Sequence, residues 1–245
     1  MGQLVDAKIV CRCSLLPIMI KSIVRPPENG AILLPCFNHG DKLGGVIDEL
    51  RKVLPSLPIV VVDDGSVPPL ADIPGVTILR HPRNLGKGAA LVTGVNHLRG
   101  TEYIVFIDSD GQHAASAVPS LIEALDGPPK GDLVIAVRDF FHDTRIPLRH
   151  RLANILLSLE FAILHGKYIP DVTNGLRVVR THAFLSLGLR FQRYEVEIEM
   201  LSSMLAGNSF IRYVPDWSTR YGTPSNVGRG FRVTAALAVS MLRAH

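Results

Sequence analysis

Five short apolar runs, each closed by polar turn residues, set the tightest limit on how this chain folds. They are AILLPCF (31–37), PIVVVDDGS (58–66), VTILR (76–80), EYIVFI (102–107) and DLVIAVR (132–138). Runs this short, rich in Val and Ile and lacking strict apolar/polar alternation, are typical of strands buried on both faces. Between the first two, Leu43, Val46, Ile47, Leu50 and Leu54 recur at helical spacing, and Asn38, His39 and Asp41 can cap that helix. Further helices are predicted over 88–98 and 117–125. Strands alternating with helices of this length predict an α/β domain, with a mixed, mostly parallel sheet and helices on both faces.

Beyond residue 140 the pattern changes. A basic segment (Arg145, Arg149, Arg151) leads into an amphipathic helix over about 150–164, followed by DVTNGLRVVR (171–180). A helix over 195–206, the strand FIRYVPD (210–216) and a Gly-rich basic tail complete the chain. With 245 residues and 47% apolar composition, one core accommodates all of this. The expected division is an extension at 1–28, one domain at 29–227 (a first half at 29–138 and a second at 139–227), and an apolar-faced helix at 228–245. LLPIMI does not read as a secretory signal, because Pro17 breaks it and Lys21 and Arg25 follow. Met19 offers a second start.

Composition removes several classes of function. A net charge of +4 and 6% aromatic content give neither the basic patch nor the stacking surface of a nucleic-acid binder. Three cysteines, Cys11, Cys13 and Cys36, lack scaffold spacing and point to a reducing, cytoplasmic compartment. No apolar run reaches the roughly 18–20 residues that span a bilayer, since Asn154, Ser158 and Glu160 interrupt LANILLSLEFAIL. The last segment, FRVTAALAVSMLRAH, can pack on the domain or lie on a membrane surface.

In parallel α/β sheets ligands bind at the carboxyl ends of the strands, where Asp63, Asp64, Asp108 and Asp110 all fall. Each pair has a plain reading as a turn. The functional reading of DDGS is a carboxylate accepting hydrogen bonds from a nucleobase or ribose. HPRNLGKGAAL (81–91) sets glycines around Lys87 before a helix; it lacks the phosphate-loop pattern, yet amides at a helix start favour an anion. In FIDSDGQH (106–113), Asp108, Asp110 and Gln112 supply hard oxygen ligands suited to Mg²⁺ or Mn²⁺.

Taken in order, PCFN, VVVDDGS, NLGKGAAL, DSDGQH and DLVIAVR resemble the family 2 glycosyltransferases of GT-A fold. They look most like the branch containing dolichol-phosphate mannose synthases and bacterial polyprenyl-phosphate relatives. The resemblance covers roughly residues 30–226. It implies that Pro35, Phe37, Asp63 and Asp64 lie near the base and ribose of a nucleotide sugar, with Lys87 and Asp108 beside its phosphates. It further implies that Asp108, Asp110 and Gln112 hold the metal. DVTNGLRVVR is similar to the family's D-x-x-x-G-x-R segment, which would put Asp171, Gly175 and Arg177 at the donor–acceptor junction. Asp110, Arg138, Asp171 and Arg177 are thus the expected catalytic set.

The acceptor implied is a polyprenyl or dolichyl phosphate, met at the cytoplasmic face of a membrane and held by Arg138, Arg149, Arg151, Arg220 and Ser225. Guanidinium groups suit a phosphate because they bind it bidentately. GDP-mannose is the favoured donor, a UDP-sugar the alternative, and a membrane-protein partner is possible. The chain departs from the branch at Asp139 and Phe140, where a Tyr commonly follows the arginine. Two rivals stand: transfer to a hydroxyl of a glycolipid or envelope glycan, for which Glu195 and Glu197 are candidate bases, and a non-catalytic nucleotide-sugar-binding module.

Overall fold

A computed structural model describes residues 29–189 and 195–220. The expected extension at 1–28, the terminal helix at 228–245 and Ser225 lie outside the described residues. Seven strands form one sheet in the order β3-β2-β1-β4-β6-β5-β7. β1 (Gly30–Cys36), β2 (Ile59–Asp63), β3 (Val76–Arg80) and β4 (Tyr103–Phe106) are mutually parallel, and β5 (Leu133–Val137) is parallel to β7 (Ile211–Pro215). β6 (Arg177–Arg180) runs antiparallel between β4 and β5 and joins the two groups.

The five predicted strands and FIRYVPD are all present, within a residue or two. RVVR was expected only as part of a motif. Its two arginines suggest a surface turn, but both are buried. Arg180 is paired with Glu102 at 2.6 Å and with Asp126, and its Nε donates to the Gly131 carbonyl at 3.4 Å. Charge satisfied in this way can occupy a strand that its sequence pattern disguises.

Side chains alternate across the sheet, so each strand feeds two cores. Ala31 and Leu33 of β1 join Val60, Val62 and Ile104 beneath α2 (Lys87–His97) and α6 (Val196–Ala206). Ile32 and Leu34 join Val61 and Val105 beneath α1 (Gly40–Val53) and α3 (Val118–Asp126). α4 (Leu148–His165) and the five-residue α5 (Thr181–Leu185) flank β6 in sequence.

The cap expected for α1 is not formed by a side chain. His39 stands at the N-cap position without a side-chain bond. Asn38 takes a left-handed conformation (φ 57°), and its Oδ1 accepts from the Val67 amide at 2.9 Å. Its own amide donates to Ser66 Oγ at 3.0 Å. Asn38 therefore stitches the end of β1 to the turn after β2, a long-range role that outweighs local capping.

Leu33 is fully buried at the centre of the sheet, between parallel neighbours on both sides. Leu33→Ala is expected to lower unfolding free energy by about 2–5 kcal/mol, read from urea denaturation.

Candidate active site

The parallel strands β1, β2 and β4 end side by side, and a cavity of about 460 Å³ opens there. This volume falls in the range of small-molecule sites. Pro35, Phe37, Asp64, Lys87, Asp108 and Asp110 line it, which brings together most of the residues expected at a donor site. Phe37 is 41% exposed and offers an aromatic surface at the mouth.

The DDGS turn is organised by its own carboxylates. Asp63 accepts from the amides of Ser66 (2.9 Å) and Leu70 (3.1 Å). Burial pushes its carboxyl up, but these bonds and Arg80 outweigh it and hold the group below the ordinary range. Asp64 accepts from the amides of Leu85 and Gly86, each at 2.8 Å, and meets His81 Nδ1 at 2.7 Å. The two acids thus shape the turn and the NLGKG loop. Asp64 also lines the cavity, whereas Asp63 does not. Gly65 has φ +76°, and an added Cβ would stand 2.4 Å from the Arg83 carbonyl carbon, so only glycine lets the two loops touch.

Lys87 lies between two carboxylates, with Nζ 2.6 Å from Asp108 Oδ1 and 2.7 Å from Glu197 Oε1. Burial alone would push its ammonium pKa down, but Asp108 and then Glu197 reverse this and raise it. Burial likewise pushes the Asp108 carboxyl up, and Lys87 followed by His113 brings it below the ordinary range. Lys87 therefore stays charged and fixes Asp108 against the cavity wall.

The insertion of β6 explains the glycine of DVTNGLRVVR. The register sets Arg177 beside Phe106 of β4, so the residue two before it approaches the residue two after β4. A Cβ on Gly175 would lie 2.2 Å from Asp108 Oδ2. Glycine is needed for this contact.

Arg177 is 1% exposed, and its guanidinium donates to the carbonyls of Asn174, Glu197 and Val172 at 2.7–2.9 Å. Burial lowers its pKa to about 10, against the pull of Glu197, Asp171 and Asp108. Asp171 is fully buried and grips Arg138 through Nε at 2.7 Å and Nη2 at 2.9 Å. Asn154 and Asn174 also donate to it. Both residues therefore support the site from below, with their polar groups engaged by protein. Arg138, carried at the end of β5, stacks over Phe140 with 5.0 Å to the ring centroid.

The remaining expected residues are more dispersed. Asp110 is partly exposed, and its Oδ1 accepts from the Gln112 amide at 3.0 Å. Gln112 is not among the residues lining the cavity, and its carbonyl accepts from the Arg220 amide at 2.7 Å. Arg220 pairs with Glu49 at 2.9 Å on the exposed surface. Arg149 is exposed on α4, while Arg151 binds the Phe140 carbonyl at 2.6 Å and that of Phe141.

His113 served in the sequence only as part of a family motif. It is buried, with Nε2 3.8 Å from Asp108 Oδ2 and Nδ1 without a partner among the described residues. Burial lowers its pKa despite Asp108, so it is neutral near pH 7. Nothing in the sequence marks His81 as part of the site. It bridges Asp64 and Thr93, but only the fold brings these three together.

Residues 31–188 match the family model described as glycosyl transferase family 2, and the chain belongs to that family. Its fold is that of the GT-A glycosyltransferases. The polyprenol monophosphomannose synthase of Mycolicibacterium smegmatis is 28% identical over 179 residues, which cover 68% of this chain and 67% of that protein. The UDP-N-acetylglucosamine--dolichyl-phosphate N-acetylglucosaminyltransferase of Methanococcus voltae is 27% identical over 236 residues, covering 82% and 92%. Among solved structures, the glucosyl-3-phosphoglycerate synthase of Mycobacterium tuberculosis in complex with Mn²⁺, UDP-glucose and phosphoglyceric acid superimposes with a TM-score of 0.70. It is 19% identical, with 88% of this chain and 79% of that one covered.

Two substitutions probe this geometry. Gly175→Ala drives a methyl group into Asp108 and is expected to cut transferase turnover about 100-fold, read with saturating donor. Asp171 loses stability in acid for a definite reason. Burial pushes its carboxyl up, but Arg138 and then Asn154 hold it below the ordinary value of 3.8. Because the folded pKa lies below the unfolded one, its contribution is full above about pH 4 and is lost as pH falls further. Asp171→Asn is expected to flatten that acid limb in urea unfolding and to cost about 3 kcal/mol at neutral pH, because Arg138 loses its counter-charge.

Proposed function

We propose that this glycosyltransferase moves a hexose, with mannose favoured, from a nucleotide sugar to a polyprenyl or dolichyl phosphate at the cytoplasmic face of a membrane, inverting the anomeric centre. The reading draws on relatives named as polyprenyl-phosphate sugar transferases, including the undecaprenyl-phosphate mannosyltransferase of Micrococcus luteus. One observation favours a phosphate acceptor over a hydroxyl: neither nearby acid that would serve as base lines the 460 Å³ cavity. Glu197 is buried and paired with Lys87 through Oε1, its Oε2 having no partner among the described residues, and Asp171 is bonded to Arg138 and two asparagines. A sugar hydroxyl needs a general base within reach, whereas a phosphate oxygen is already anionic at neutral pH.

In this reading the nucleotide lies in the 460 Å³ cavity, with the base against Phe37 and the diphosphate toward Asp108 and Asp110. The donor set fits a hard divalent cation. Asp110 has one carboxylate oxygen without a protein donor among the described residues, and Asp108 lines the same cavity. Mg²⁺ or Mn²⁺ held by Asp108 and Asp110, the members of the expected set that line the cavity, would supply positive charge against the leaving diphosphate. Lys87 holds Asp108 in place, and neutral His113 backs the same carboxylate.

Arg138, aimed by Asp171 and Phe140, presents a guanidinium for the acceptor phosphate, with Arg149 at the outer edge. Orientation of this kind replaces base catalysis. GDP-mannose is the favoured donor; a UDP-sugar is the alternative.

Asp110→Ala is expected to abolish metal-dependent transfer while leaving the fold intact by circular dichroism. Thermal stabilisation by GDP- and UDP-sugars with Mn²⁺ identifies the donor, since a bound ligand raises the melting temperature by mass action. Incubation with polyprenyl phosphate and, separately, a glycolipid is expected to yield a lipid-phosphate-linked sugar only. A glycolipid product alone would transfer the assignment to the hydroxyl-acting rival.

A further inference from the structure

α4 is apolar on two faces: Leu157, Phe161 and Leu164 pack on the core, and a second apolar row points outward. Its buried positions include Asn154 and Ser158, which bond Asp171, Thr173 and the Pro170 carbonyl. Its outer face carries Leu148, Leu152, Leu156, Leu159 and Ile163, from 47% to 83% exposed. These residues recur every three or four positions and form one stripe along an 18-residue helix about 27 Å long. A stripe of this length is far from the isolated surface leucine that needs no explanation.

We infer that this stripe docks on an anionic bilayer surface, with α4 lying in the plane of the headgroups. The inference rests on the proposed polyprenyl-phosphate acceptor for its purpose, but the charge and the aromatic residues around the stripe support it independently. Between 144 and 168 the one acidic residue is Glu160, which is half-buried, whereas Arg149 and Lys167 stand exposed near the two ends of the stripe. Basic residues flanking leucines match the charge of an anionic membrane and snorkel to its headgroups.

Aromatic side chains follow the same arrangement. Phe141, Trp217 and Tyr168 are exposed beside the helix ends, and such residues favour the membrane interface. The Trp217 carbonyl is bound by Arg145, which links that residue to the loop leading into α4.

The helix that carries the stripe is also tied to the acceptor end of the site. Arg151 of α4 holds the Phe140 carbonyl beside Arg138, and Asn154 holds Asp171 beneath it. A bilayer against α4 would therefore bring a lipid phosphate to the Arg138 side of the cavity. Charge weighs against a second copy of the chain as occupant. Antiparallel α4 helices would set Arg149 against Lys167, and parallel ones would set each against itself.

The test is flotation of the full chain with vesicles of equal parts phosphatidylglycerol and phosphatidylcholine, containing no polyprenyl phosphate. The double variant Leu156→Glu with Ile163→Glu is expected to lower vesicle partitioning at least about 10-fold. Leu152→Gln with Leu159→Gln should lower it by a smaller factor, with donor-induced thermal shifts retained by both. A wild-type chain that fails to float, or variants that float equally well, would overturn the inference. A wild-type dimer that the variants dissociate, without vesicle binding, would assign the stripe to a second copy instead. Because the vesicles lack the acceptor, these results are independent of whether a polyprenyl phosphate receives the sugar.

Discussion

A buried lysine shared by two carboxylates governs the architecture of this site. Asp108 comes from the end of β4, Lys87 from the start of α2 and Glu197 from the first turn of α6, so one ammonium ties three distant segments together. In a low-dielectric interior each charge would be costly alone. Together they are mutually required. The Glu197 carbonyl receives Arg177 as well, which carries the same constraint to the start of β6 and the glycine that abuts Asp108. The wall of the cavity is thus held by charge as much as by packing.

A second buried pair organises the other side. Asp171 aligns Arg138 at the end of β5, and its remaining contacts come from Asn154 on α4 and Asn174 in the loop before β6. Polar groups used inward at these positions share the inner face of α4 with Leu157, Phe161 and Leu164, and its other leucines stay outside. The unusual face of that helix and the orientation of the arginine are consequences of the same hydrogen-bond network.

Much of this was legible before any coordinates. The apolar runs mark β1, β2, β4 and β5, because burial on both faces leaves a continuous signature that needs no partner to be read. DDGS and DSDGQH were placed at strand ends for the same reason. β6 is not marked in this way, since its signature is two arginines whose partners, Glu102, Asp126 and five backbone carbonyls, are scattered over nearly a hundred residues. Asn38 was read as a local cap for a similar reason; its partners are some thirty residues downstream. Chemistry determined by local pattern was visible, and chemistry determined by long-range pairing was not.

The antiparallel strand also sets an order of assembly. β4 exposes one edge until Arg177–Arg180 is available, roughly seventy residues later in the chain, and β5 waits for the same four residues. Neither half of the sheet closes before then. Pairings of such sequence separation carry a high loop-closure cost and form late. During synthesis the nucleotide-facing strands would therefore emerge with an open edge next to the site's acids, and the site would be completed in the same event that completes the sheet.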